Sequence, residues 1–312
     1  MTRHFAFVVA ALFLALGVAA ANVAESAGHR TRAQKHGWMA SDANPKHPWL
    51  YVAGFDNDVI SIYDIAAFRT KLIGQITHVS TPNGIKLDAQ GTLYVANYDN
   101  NIVSIYPADA TSPSLILSAG LNVAVDIAVD ALGNVYVFNR GTSPPNITVF
   151  PPGQTVPSAT ITSSLIQYPM ALMFDTSGNL FIADFLTGVS EMKYGSQQPV
   201  SLGLVGAIRT MGIAPDPAKG HLFACLDRRR DRLQTIDYAP GRARSRRFLD
   251  GGNVASDFMT LGRIKGREYL FESVYNTNQV LVYEHDSKNL IETIATASED
   301  AEGIAFKPAG VP

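Results

Sequence analysis

The sequence predicts an all-β protein, a six-bladed β-propeller with four strands in each blade. A strand motif recurs along the chain, a turn motif recurs with it, and apolar and polar residues alternate with a period of two. The strand motif begins at Leu50, Leu93, Val135, Leu180, Leu222 and Tyr269, with spacings of 43, 42, 45, 42 and 47 residues. A repeat of about 45 residues is the size of a four-stranded propeller blade.

The second repeat shows all four strands of a blade most clearly. Its predicted strands are Gly84–Asp88, Leu93–Asn97, Ile102–Pro107 and Leu115–Leu117. Short β-rich runs bounded by turn residues are typical of strands. The third strand recurs at Val59, Asn146 and Gln279, and in weaker form in the fourth and fifth repeats.

The turn after the first strand has the same chemistry in four repeats. Its members are Asp88 to Gly91, Asp130 to Gly133, Asp175 to Gly178 and Asp216 to Gly220. Aspartate accepts hydrogen bonds from backbone N–H groups of its own turn, and glycine tolerates a positive φ. We therefore interpret these aspartates as turn residues and not as a metal-binding series.

The two ends of the repeat region predict how the ring closes. The region begins at Trp49-Leu50, which is the second strand of a blade, and the missing first strand appears at Glu302–Phe306. We expect this C-terminal strand to complete the first blade, because pairing the two ends removes an open sheet edge.

The segment PNGIKLDAQGTLYVANYDNNIVSIYP resembles an NHL repeat of exported bacterial proteins, and the resemblance extends over about residues 49 to 308. It implies the propeller fold. It implies little about function, because this architecture carries many unrelated activities.

The N-terminus predicts export. Arg3 and His4 precede an apolar run of 17 residues, Phe5 to Ala21, which ends in three alanines. This pattern is typical of a cleaved signal peptide, and the run is short for a membrane span. The predicted organisation is a signal peptide at 1–21, a flexible leader at 22–48 and the propeller at 49–312, located in the periplasm or outside the cell without a remaining membrane span.

Charge and cysteine content narrow the class of partner. The mature chain has 24 basic and 27 acidic residues, a net charge of −3, which argues against nucleic acid as a partner. Cys225 is the single cysteine and lies in a strand motif, so we expect it to be packed in the core. We expect the chain to be a monomer.

A candidate ligand-binding ring is formed by the residue just before each innermost strand. Its members are Asn83, Val125, Met170, Met211, Asp257 and Glu302. The three polar members come from neighbouring blades, and their oxygen atoms suit a calcium ion. They could equally hold a water or a polyol, or hydrogen-bond to local loop backbone.

The same positions resemble those of calcium-dependent lactonases of the gluconolactonase family. The matching contexts are Glu302-Gly303, Asn83-Gly84 and Asp257-Phe258. The resemblance implies a calcium ion held by Asn83, Asp257 and Glu302 that polarises an ester carbonyl. The sequence departs from the family because the three residues cluster on adjacent blades, a second asparagine is missing, and Asp257 lacks the following glycine.

The fifth repeat carries a concentration of arginine. Arg228, Arg229 and Arg230 follow its second strand, and further arginines are at positions 232, 242, 244, 246 and 247. Arginine suits bidentate contact with carboxylates or phosphates, so an acidic protein or another anionic ligand is a predicted partner. A charged, solvated sheet edge is the alternative.

Three functions follow from these features. The first is a non-catalytic binding scaffold that recognises a protein or an anionic ligand with one loop face. The second is a calcium-dependent lactonase or related hydrolase, and the third is a structural component of the cell envelope. Convergence of the Asn83, Asp257 and Glu302 side chains on one point would distinguish the second from the others.

Overall fold

The structure is a computed structural model. It describes residues 36–66, 70–216, 218–228, 232–239, 241, 247–248, 256–274 and 277–311. The predicted signal peptide and most of the predicted leader lie outside these residues.

The strands form six antiparallel sheets, which are numbered here as blades in chain order. Blade one contains β1 (Trp38–Met39), β2 (Trp49–Gly54), β3 (Val59–Asp64), β4 (Lys71–Ile76) and the last strand, β25 (Ala301–Lys307). Blade two contains β5 (Pro82–Leu87), β6 (Leu93–Asn97), β7 (Ile102–Tyr106) and β8 (Leu115–Leu117). Blade three contains β9 (Ala124–Val129), β10 (Val135–Asn139), β11 (Asn146–Phe150) and β12 (Ala159–Ile161).

The other three blades repeat this order. Blade four contains β13 (Pro169–Phe174), β14 (Leu180–Asp184), β15 (Gly188–Met192) and β16 (Val200–Ser201). Blade five contains β17 (Thr210–Pro215), β18 (Leu222–Arg228), β19 (Arg232–Tyr238) and β20 (Arg247–Phe248). Blade six contains β21 (Ser256–Ile264), β22 (Arg267–Val274), β23 (Gln279–Glu284) and β24 (Leu290–Ala295).

The six blades form a closed ring. The innermost strands β5, β9, β13, β17, β21 and β25 each contact the innermost strand of the next blade. The prediction of a six-bladed β-propeller is confirmed. The described residues contain no helix, and hence none with the length and apolar character that a membrane crossing needs.

Ring closure follows the prediction. The C-terminal strand β25 pairs with β2, with Phe306 opposite Leu50 and Ile304 opposite Val52. Blade one has a fifth, outermost strand that the sequence did not predict, because β1 pairs with β4 through Trp38 and Met39. The part of the predicted leader that the structure describes is therefore not an unstructured segment. A strand of two residues is too short to show any periodicity.

The predicted turns are confirmed in all four repeats. Each glycine donates its N–H to the aspartate carbonyl at 3.0–3.1 Å and has a φ between +67° and +83°. The aspartate Oδ1 accepts two further backbone N–H groups, for example those of Leu132 and Asn134 at Asp130. The aspartate side chain replaces backbone partners that a tight turn leaves unsatisfied.

One predicted register is wrong by a residue. In blade six, Leu261 of the first strand pairs with Leu270 of the second strand, so Leu270 and not Tyr269 is the counterpart of Leu50. A shift of one residue moves a side chain to the opposite face of a sheet. Leu270 accordingly packs against blade five, whereas Tyr269 packs against blade one.

Candidate functional site

Alternating strand direction sorts the connections between strands onto two faces of the ring. The loop face carries the loops that enter each first strand and those that join second to third strands, including residues 55–58, 98–101, 140–145, 162–168, 185–187, 202–209 and 296–300. The turn face carries the Asp-to-Gly turns and the connections between third and fourth strands. The predicted ring residues belong to the loop-face end of the innermost strands.

The described side chains of the predicted ring are almost completely buried. The exposed fractions are 9% for Asn83, Met170 and Met211, 3% for Glu302 and 0% for Val125. Asn83 and Glu302 lie on strands in very close approach, because a Cβ at Gly303 would be 2.1 Å from the Asn83 carbonyl oxygen. These side chains form the floor of the loop face and offer little exposed surface.

The predicted calcium ligands can be placed only in part. Asn83 and Glu302 are on neighbouring innermost strands and both carry the oxygen donors that a hard cation prefers. Asp257 belongs to β21, but its side chain lies outside the described part of the chain. The calcium site and the lactonase activity stay predictions.

The predicted arginine cluster of blade five lies mostly outside the residues that the structure describes. Arg228 ends β18, its side chain is not described, and Arg229 and Arg230 lie outside the described residues.

Asp126 links three blades at the centre of the ring. Its Oδ2 accepts the Leu172 N–H of blade four at 2.7 Å and lies 3.6 Å from the Lys86 Nζ of blade two. A Cβ at Gly84 would be 2.1 Å from the Asp126 Oδ1, so only glycine fits at that position. Burial raises the pKa of Asp126, and the Lys86 ammonium opposes this shift. We interpret this group as part of the scaffold.

The loop face presents a row of aromatic and arginine side chains above this floor. Phe55, Tyr98, Arg140 and Phe185 are each the first residue after the second strand of blades one to four. Tyr168 and Arg209 are each the last residue before an innermost strand. We call these six residues the aromatic–arginine belt.

The belt is continuous through ring contacts. The rings of Phe55 and Tyr98 meet edge to face with centroids 5.8 Å apart, and those of Tyr168 and Phe185 are 5.6 Å apart. Arg140 lies 4.8 Å from the centre of the Tyr168 ring, and Arg209 lies 5.0 Å from that of Phe185.

Arg140 joins the two halves of the belt. Burial raises the pKa of Tyr98, and the neighbouring Arg140 guanidinium opposes this shift. The Arg140 Nε and Nη2 donate to the Pro169 carbonyl at 3.1 and 2.7 Å. Its Nη2 is also 3.4 Å from the Met170 sulfur, which connects the belt to the predicted ring below it.

Buried polar residues at the ends of second strands fix the loops that carry the belt. Asn97 Oδ1 accepts the Ser80 N–H at 2.9 Å, and Asn139 Oδ1 accepts the Asn122 N–H at 3.2 Å. Asp184 Oδ2 accepts the N–H of Tyr168 at 2.7 Å. The belt therefore sits on loops anchored to the sheets, which limits the ordering entropy lost on binding.

An exposed apolar patch adjoins the belt between blades four and five. Leu186, Val205 and Ile208 are 54%, 56% and 65% exposed. The Arg209 N–H donates to the Phe185 carbonyl at 2.8 Å, which places the neighbours Leu186 and Ile208 together. Exposed apolar groups beside arginine and aromatic side chains are typical of a protein-binding surface.

The loop face is electrically polarised. Among the residues that the structure describes, the arginine side chains of this face are Arg140, which follows the second strand of blade three, and Arg209, which precedes the first strand of blade five. Around blades one and two the exposed groups are acidic, among them Asp56, Asp58 and Asp99. Such an arrangement favours a partner of complementary polarity.

Sequence reasoning missed the belt, although a signal was present. Asn97, Asn139 and Asp184 end their strand motifs, and the residue after each is Tyr98, Arg140 or Phe185. An alignment of the residue that follows each second strand across the repeats brings these belt residues together.

Comparison with known proteins supports the fold. No protein-family model matches the chain, and no curated protein sequence matches it. A solved structure of a nidogen–laminin complex contains a chain with a TM-score of 0.68 and 15% identity, covering 85% of this chain and 99% of its own. A Kuenenia stuttgartiensis hydrazine synthase has a TM-score of 0.49 and 16% identity, covering 68% of this chain and 66% of its own. The first similarity shows the fold alone, and the second carries no argument.

Proposed function

We propose that this chain is a non-catalytic binding propeller that holds a protein partner on its loop face. The aromatic–arginine belt is the observation that carries the proposal. Tyrosine and arginine are enriched among the residues that contribute most to protein–protein binding, and they act best where a well-packed surface excludes water.

The geometry of the belt supports a protein partner. The belt extends over five blades, and Leu186, Val205 and Ile208 enlarge it with exposed apolar surface. A small ligand would use a deep concave site, whereas the described side chains below the belt, such as Met170 and Met211, offer little exposed surface. The solved nidogen–laminin structure contains a propeller in a complex of two proteins, which is compatible with this use of the fold.

Charge gives the partner an orientation. Acidic groups of the partner would lie over Arg140 and Arg209, where a guanidinium stacked on an aromatic ring remains a donor to carboxylates. Basic groups would lie over the acidic side around Asp56 and Asp99. The proposal includes export, which is supported by the Phe5–Ala21 segment, and recognition outside the cytoplasm.

Site-specific photo-crosslinking in the native cell tests this function. A photoreactive amino acid replaces Ile208 on the loop face or, as a matched control, Leu132 on the turn face, which are 65% and 70% exposed. We expect a discrete adduct with a second protein from position 208 and none from position 132. Arg140→Ala together with Phe185→Ala should abolish the adduct without unfolding the propeller.

Other crosslinking results would point away from a protein partner bound by the belt. Equal adducts from both faces, or adducts that survive the double substitution, would remove the belt from recognition. An adduct of twice the chain mass would show that the loop face joins two copies of this protein. A ligand-dependent loss of crosslinking with lactones and calcium would favour the hydrolase instead.

A further inference from the structure

A second cluster of polar side chains lies on the turn face, between blades five and six. Asp216 begins the turn after β17, Glu268 lies near the start of β22, and His285 follows β23. The Asp216 and Glu268 carboxylates and the His285 ring each offer one ligand atom, and these atoms all lie within 4.8 Å of one another. The cluster is remote from the belt, because the two occupy opposite faces of the ring.

Asp216 departs from the pattern of the other turn aspartates. In blades two, three and four the second carboxylate oxygen is bound within its own turn region, by Tyr94 at 3.1 Å, Asn134 at 2.7 Å and Asn179 at 2.9 Å. In blade five this oxygen instead lies 2.9 Å from the Nε2 of His285, in the next blade. This buried Asp216 oxygen therefore takes no part in the hydrogen bonding of its own turn.

His285 is held by a carboxylate at each nitrogen. Its Nδ1 is 3.0 Å from the Asp286 Oδ1, and the ring is 2% exposed. A neutral imidazole has one N–H, and donation to Asp286 leaves an Nε2 lone pair facing the Asp216 oxygen. In that tautomer, a metal ion between the Nε2 and the Asp216 oxygen would satisfy both atoms.

The surroundings resemble those of a metal-binding histidine. Such a histidine usually donates its other N–H to a carboxylate, which fixes the ring and raises its basicity. Asp286 has this place, and its carboxylate also pairs with the Lys219 ammonium. The Asp216 Oδ1 is fixed by the N–H of Ala218 at 2.8 Å.

Glu268 supplies the third donor. The His285 N–H donates to the Glu268 carbonyl at 3.0 Å, which keeps the two residues adjacent. The Glu268 side chain is 15% exposed and has a surface contact with Arg263 at 3.3 Å. A tetrahedral zinc ion with bonds of about 2.0–2.2 Å places its donors roughly 3.4 Å apart, so Glu268 has to rotate inwards slightly.

From these contacts we infer that Asp216, Glu268 and His285 bind a first-row divalent transition metal, with Zn²⁺ as the best match. One nitrogen and two carboxylate donors suit Zn²⁺, whereas calcium prefers six to eight oxygen ligands. The ion joins blade five to blade six and leaves a fourth position for water. Its role is to stabilise this junction of the ring.

Zinc titration of the untagged protein after chelator treatment tests the site. Isothermal calorimetry with ZnCl₂ should show one saturable site in the wild type. We expect at least tenfold weaker binding in Glu268→Gln and in His285→Gln. The matched control is His47→Gln, because His47 also pairs with a carboxylate, Asp64 at 2.6 Å, but is 43% exposed and belongs to no cluster of three metal donors among the described residues.

Thermal unfolding provides the second measurement. Zinc should raise the melting temperature of the wild type and of His47→Gln, because an ion that binds only the native state stabilises it. At the same zinc concentration it should raise that of Glu268→Gln by clearly less. Since Glu268 is at the rim, this variant remains informative even if His285→Gln does not fold. Absence of saturable binding, or equal binding in Glu268→Gln, would overturn the site.

Discussion

The junction between blades three and four and the junction between blades five and six use equivalent strands but different side chains. Phe138 and Ile182, both 0% exposed, meet in the apolar cluster between blades three and four. The equivalent positions between blades five and six are Cys225 and Glu272, also 0% exposed. The repeat therefore determines where a side chain points and leaves its chemistry open.

The junction between blades five and six also contains charged side chains near the turn face. Lys288 is 6% exposed, lies 3.3 Å from the Asp237 carboxylate and stands 4.2 Å above the Phe223 ring. Burial lowers the pKa of Lys288, and Asp237 opposes the shift. Buried charges depend on their partners, so this junction should respond to pH and ions, whereas the apolar junction should not.

The largest effect is expected at the apolar junction. Phe138→Ala removes a fully buried aromatic ring and should lower the free energy of unfolding by about 3–5 kcal/mol. Chemical denaturation at pH 5 and pH 8 should give the same loss at both values. A loss that changed with pH would contradict the proposed difference between the junctions.

The second effect concerns Glu272. Burial raises the pKa of Glu272 to about 7 from an ordinary value of 4.5, and Thr235 opposes this only in part. The folded state therefore holds a proton that the unfolded state releases, so stability is fully present below pH 4.5 and is lost as pH rises through 7. At 1.36 kcal/mol per pKa unit, the loss is about 3 kcal/mol.

Glu272→Leu should remove this dependence and make the protein more stable than the wild type at pH 8. Denaturation curves between pH 4.5 and 8 measure both results, and Ile182→Leu is the matched control at the equivalent position. A wild-type stability that does not fall over this range would show that Glu272 is solvated or partnered in solution.

The smallest effect on stability is expected on the loop face. Arg209→Ala removes a half-buried guanidinium from the Phe185 ring, an interaction of about 0.5–1 kcal/mol at such a site. Denaturation should detect little change, while crosslinking from position 208 should fall sharply. A large loss of stability would mean that the belt holds the ring together.

Much of the fold could be predicted because the repeat is local. The Asp-to-Gly turns and the alternation in strands such as Leu93–Asn97 depend on neighbours in the chain, and the structure confirms them. The register of blade six was missed because both Tyr269 and Leu270 fit an apolar position, and only pairing with Leu261 decides between them.

The candidate sites were harder to predict for a physical reason. The belt combines phenylalanine, tyrosine and arginine, so no residue type repeats, and only its position relative to the second strand is constant. The Asp216–His285 contact joins residues 69 positions apart across two blades. In the sequence Asp216 begins an Asp-to-Gly turn like the other turn aspartates, although this turn is one residue longer, and only three-dimensional contact shows the partner of its second oxygen.

Closure of the ring by β25 also sets the order of synthesis and assembly. Phe306 and Ile304 are translated about 250 residues after their partners Leu50 and Val52. At about 5–20 residues per second, the first blade waits roughly 10–50 seconds for its innermost strand. Throughout that time it presents an unpaired strand edge, which makes the nascent chain, more than the finished ring, the form most in need of a chaperone.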